Sequence, residues 1–80
     1  MATIDCSWDE LKRMAKEFHC AVPTLDEDEL DNAWKCLSLG YLGMKDTQWQ
    51  HSAAALLQIE ARTHAARLLE LRRFKSPKGE

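Results

Sequence analysis

Thr47–Lys75, TQWQHSAAALLQIEARTHAARLLELRRFK, is the stretch whose reading decides the fold. It holds no Gly and no Pro, it is built from strong helix formers, and its apolar residues fall on two opposite sides of a helical wheel. The spacing predicts one helix over about 47–74, roughly 42 Å long at 1.5 Å per residue. Ala53, Ala54, Leu57, Ala61, His64, Ala65, Leu68, Leu71 and Phe74 form a broad face suited to an intramolecular core. Ala55, Ile59, Ala66 and Leu69 line up opposite, interrupted by Arg62 and Arg73. One apolar stripe is enough to join a helix to its own domain, so a second stripe implies a second partner. Alanines alone fit a solvated helix face, but Ile59 and Leu69 do not fit it as well.

The 46 residues before this helix carry two initiation signals. Ser7-Trp8-Asp9-Glu10 reads as a capping box with Cys6 placed to staple onto Leu11, and Trp8, Leu11, Ala15 and Phe18 follow at helical spacing. Pro23 is expected to force Val22 out of the helical region, which ends this helix near residue 19. Thr24-Leu25-Asp26-Glu27 repeats the box, and Leu30, Ala33, Trp34 and Leu37 give a second helix its buried stripe. Gly40 reads as a left-handed stop, which places this helix at about 25–39. The apolar loop Tyr41–Lys45 is then expected to lid the core. The fold class is therefore all-α: two short capped helices, about 8–19 and 25–39, packed on one long C-terminal helix. Residues 1–75 form a single helical domain and 76–80 a flexible polar tail. Trp8, Leu11, Phe18, Leu30, Trp34, Leu37, Leu57 and Leu68 are the predicted core.

Composition narrows the function classes. A chain of 80 residues buries only ~60% of its unfolded surface, which leaves little for an enclosed substrate cavity. A net charge of -2 argues against a general polyanion binder. No run approaches the ~18 apolar residues of a membrane span, and the acidic start lacks the basic and apolar regions of a signal peptide; a cytoplasmic location is expected. Cys6, Cys20 and Cys36 have no CxxC spacing and read as reduced thiols. His19 and Cys20 point about 100° apart on a helix, and His51 and His64 are far apart, so no metal site is expected. Gly40 and Gly43 lack a phosphate-loop frame, and nothing orients a Cys–His pair for catalysis. No catalytic residue and no cofactor are expected.

What remains is association. The expected function is a non-enzymatic protein-binding module, adaptor or inhibitor, that homodimerises through the long helix and binds a macromolecular partner. By analogy of type only, it is comparable to small bacterial and bacteriophage regulators that block a host protein. The expected interface is Ala55, Ile59, Arg62, Ala66, Leu69 and Arg73, with Arg67, Arg72, Arg73 and Lys75 as a basic docking patch. The carboxylates between Asp26 and Asp31 either dock a basic partner or complement the helix dipole. The alternative is a sequence-specific DNA-binding regulator that reads bases with Thr47, Gln48, Gln50 and His51 at the start of the third helix. Against it stand the long 40–46 connection and basic residues at the opposite helix end.

Overall fold

The computed structural model describes residues 5–75, with side chains through Arg73. The expected tail at 76–80 and the side chains of Phe74 and Lys75 lie outside the described residues. The chain forms α1 (Trp8–Ala21), α2 (Glu27–Leu42) and α3 (Gln50–Lys75), with 3-10 turns at Val22–Thr24 and Thr47–Trp49. This is the all-α arrangement of one long C-terminal helix against two shorter ones, and each helix packs on the other two.

The Ser7 box forms as its spacing predicts. Ser7 Oγ accepts from the Glu10 backbone N–H at 3.2 Å, and Glu10 Oε1 accepts from the Ser7 N–H at 2.9 Å. A third acceptor arrives from across the fold: Asp46 Oδ2 takes the Trp8 N–H at 2.8 Å. Beside it, Cys6 N–H donates to the Gly43 carbonyl at 3.0 Å and Lys45 N–H to the Cys6 carbonyl at 2.9 Å. Thus the α2–α3 connection is clamped to the entrance of α1.

Four boundaries differ from expectation; the simplest is that α3 begins at Gln50 rather than 47, because Thr47–Trp49 form a 3-10 turn. Val22 keeps helical angles, φ -47° and ψ -45°, so α1 runs to Ala21 and leads into a 3-10 turn. Pro23 sits at the start of that turn, where its missing N–H costs nothing. The second box is displaced by two residues: Asp26, not Thr24, caps α2, and Glu29 rather than Glu27 closes it. Thr24 Oγ1 instead donates back to the Ala21 carbonyl at 2.7 Å, tying off the end of α1.

Gly40 is not a stop; it lies inside α2, which ends at Leu42 with Gly43 as the cap, at φ -90° and so not left-handed. Its role is proximity. A Cβ on Gly40 would stand 2.9 Å from Met14 Cε and 3.6 Å from Cys6 Sγ, so glycine lets α2 lie close on α1. Tyr41 and Leu42 are consequently helical, and Leu42 is 76% exposed rather than part of a lid. Tyr41 and Met44 do pack against the core.

The core holds Leu11, Phe18, Leu30 and Leu37, as predicted, together with Cys6, Ala15, Val22 and Ala53. Trp8, Trp34, Leu57 and Leu68 border it half-buried. Trp49 is exposed and stacks on Trp8 with centroids 5.7 Å apart. On α3 the covered residues include Ala53, Leu56, Leu57, Glu60, His64, Arg67, Leu68 and Leu71, while Ala54 and Ala65 are exposed. At 100° per residue, that face is rotated about 50° from the expected one. The rotation brings two charged residues, Glu60 and Arg67, onto the covered side.

Candidate association surface

All six residues expected at the interface are exposed on the outer side of α3. Ile59 is 52% exposed and Leu69 62%, on a helix whose opposite side already packs on α1 and α2. Ala55 and Ala66 leave a low profile between them, where another backbone could come close. Ile59 also lines an open groove of about 350 Å³ between α1 and α3, together with Leu56, Lys12 and Lys16.

Of the basic residues expected in one patch, Arg67, Arg72 and Arg73 have described side chains, and their surroundings differ. Arg67 turns inward: Nη2 donates to the Leu25 carbonyl at 3.0 Å, and Nη1 meets Glu70 Oε1 at 3.1 Å. It fastens α3 to the connection between α1 and α2. Arg72 lies 3.6 Å from Glu27 Oε2, and Arg73 is exposed. Successive residues on one helix spread their side chains by about 100°, so clustering in sequence does not make a patch.

The acidic segment is largely committed within the fold. Asp26 and Glu29 make the α2 cap, Glu27 pairs with Arg72, and Asp31 Oδ1 stands 3.3 Å from His64 Nε2. His64 also stacks on Trp34 with ring centroids 5.3 Å apart. It is thus a partnered histidine of the helix interface, in line with its place on the main apolar face.

Glu60 escaped the sequence reading, although it is 5% exposed and belongs to the covered face of α3. His19 on α1 meets it, with Nδ1 3.0 Å from Glu60 Oε1, and Thr63 Oγ1 lies 3.5 Å from the same nitrogen. A carboxylate at i+3 from Leu57 and i−4 from His64 was the available signal, since that spacing puts it on the apolar face. Its partner sits 41 residues away, which no local pattern reveals.

Cys6 alone among the cysteines is buried; Cys20 and Cys36 are exposed free thiols. Burial, then the nearby Glu10 carboxylate, pushes the Cys6 thiol up, with Arg13 pulling the other way. It therefore behaves as a small hydrophobe of the core. Among the described residues no three His, Cys, Asp or Glu side chains group as metal ligands. No helix among them is long and apolar enough to cross a membrane.

Thr47 and Gln48 fall in the 3-10 turn, and Gln50 and His51 open α3; all four are exposed. Asp46, immediately before them, is spent on the α1 entrance. Comparison with protein-family models, with curated proteins and with solved structures gives no match for this chain.

Proposed function

We propose that the chain is a small non-enzymatic protein-binding module, an adaptor or inhibitor, whose working surface is the outer side of α3. The observation that carries this reading is the exposure of Ile59 and Leu69 on a helix that has already met its packing needs elsewhere. Full burial of an aliphatic side chain of this size is worth ~1.5–3 kcal/mol, and a partner recovers part of that for each residue. A second copy of the chain, paired along α3 about a two-fold axis, is the simplest occupant, because closed symmetric dimers are the commonest assembly. A macromolecular target then meets the charged edges around the paired helices.

Ile59→Glu combined with Leu69→Glu tests this reading. Both side chains already face water, so circular dichroism and thermal unfolding are expected to change little. Light scattering should give a dimer for the unmutated chain and a monomer for the double variant. An unmutated chain that remains monomeric across the micromolar range rules out the homodimer. A double variant that still dimerises moves the interface away from this side of α3.

A further inference from the structure

The outer strip of α3 has matching positions on either side of His64. Ala55 and Arg73 are equidistant from that residue, as are Ile59 and Leu69, and Arg62 and Ala66; all six are exposed. At 100° per residue they fall within about 80° of the helix circumference, and the members of each pair lie symmetrically about the midline of that strip. A two-fold axis through the midline at the height of His64 therefore lays each of them on its mirror position in a second, antiparallel copy. In a closed two-fold contact residue i meets j and j meets i, so a surface fits its own copy only where its residues suit each other in such pairs.

The pairs do suit each other. Ile59 of one copy falls on Leu69 of the other, twice, so the exposed aliphatic side chains cover one another. Arg62 falls on Ala66 and Arg73 on Ala55, which sets each long side chain over a methyl group, its stem packed and its charged head free to reach water. Glu70 stands one turn beyond Ala66, on the flank where Arg62 of the other copy arrives. Its side chain is 56% exposed beside Arg67, so it can accept a second cation. Parallel pairing in register has none of these matches and sets Arg62 on Arg62 and Arg73 on Arg73, like charge on like.

We propose that the partner of α3 is a second copy of this chain running antiparallel, with the two-fold axis at His64, Ile59 on Leu69, and Arg62 beside Glu70 of the other copy. The proposal rests on the reading of α3's outer side as a homodimer surface and adds the direction and register of the contact. An unrelated helix has no need of mirror-matched positions, and a nucleic acid gives Ile59 and Leu69 nothing apolar to cover them.

Spin labels measure the direction. In a chain with Cys20→Ser and Cys36→Ser, the remaining Cys6 is buried, and Ser52→Cys places one nitroxide per copy at an exposed position of α3. Residue 52 is twelve positions from the axis, so antiparallel pairing sets the labels about 36 Å apart along the helices, and parallel pairing brings them under about 20 Å. Double electron–electron resonance separates the two. Arg62→Glu should weaken dimerisation about tenfold by facing Glu70 with a like charge, and adding Glu70→Lys should restore it. Labels under about 20 Å apart, Arg62→Glu without effect, or a double variant no tighter than Arg62→Glu overturns this register; if light scattering still gives a dimer that Ile59→Glu plus Leu69→Glu abolishes, the α3 surface stands without it. An unmutated chain that is monomeric across the micromolar range rejects the homodimer reading and the register together.

Discussion

The pair His19–Glu60 makes an asymmetric prediction. Glu60 is 5% exposed and its carboxylate meets His19 Nδ1 at 3.0 Å, while the His19 side chain is 57% exposed. Removing His19 strips a buried carboxylate of its partner, a loss of ~1–3 kcal/mol. Alanine recovers roughly 0.5 kcal/mol of helix propensity, so His19→Ala should cost about 1–2 kcal/mol. Replacing Glu60 by Met removes the buried charge itself, keeps most of the volume, and returns His19 to water at little cost. Hydrophobic replacement of buried ionic groups is often neutral or stabilising, so Glu60→Met should lie between no change and a gain of ~1–2 kcal/mol. In a domain of this size 1 kcal/mol moves Tm by about 4–8 °C, which thermal and urea unfolding followed by tryptophan fluorescence resolve easily. Trp34 packs against the core and provides the signal. If Glu60→Met destabilises as much as His19→Ala, the pair stabilises the fold in its own right and the argument from desolvation is wrong.

Two further outcomes follow from side chains whose roles the fold assigns. Arg67→Met should keep the packed stem and lose the hydrogen bond to the Leu25 carbonyl, a charged-donor bond worth ~1.5–3 kcal/mol. The guanidinium Nε, buried and without a partner among the described residues, offsets part of that loss, so urea unfolding should show a net cost of ~1–2 kcal/mol; unchanged stability would return Arg67 to the docking surface. The Glu10 carboxyl is held below its ordinary value of 4.5, chiefly by the Ser7 backbone hydrogen bond and then by the Ser7 side chain. A lowered value means stability that is present above pH 4.5 and lost as the pH falls through and below it. Glu10→Gln should therefore flatten the acid limb of the stability profile and leave the neutral plateau shape intact; urea midpoints compared on both sides of pH 4.5 check this, and an unchanged acid slope would refute it.

Much of the fold was legible because its signals are local. The Ser7 box, the apolar spacing of Leu11, Ala15 and Phe18, and the uninterrupted run after Trp49 each lie within a few residues. The errors fell where two local rules competed or where packing intervened. Thr24 and Asp26 are both good caps, and Asp26 prevailed once Val22 and Pro23 turned with Thr24 bonded back to Ala21. Gly40 has the composition of a stop, yet the close approach of Met14 and Cys6 uses its missing side chain inside the helix. At the association surface, exposure of Ile59 and Leu69 agreed with the helical wheel. The helical wheel did not reveal that Arg67 turns inward, because the carbonyl it meets lies 42 residues away.

By itself the amino-acid sequence determined that this chain is three helices, roughly where each begins, and which side chains lie on two opposite sides of the longest. These follow from propensity, capping and 3.6-residue periodicity, interactions that span no more than about a turn. Only the tertiary structure decided how far α3 is rotated against α1 and α2. That rotation buries Glu60 against His19, turns Arg67 inward and tips Ile59 into the groove beside Lys16. The physical reason is that a helical wheel specifies angles within one helix, whereas the zero of that wheel is set by packing two others against it.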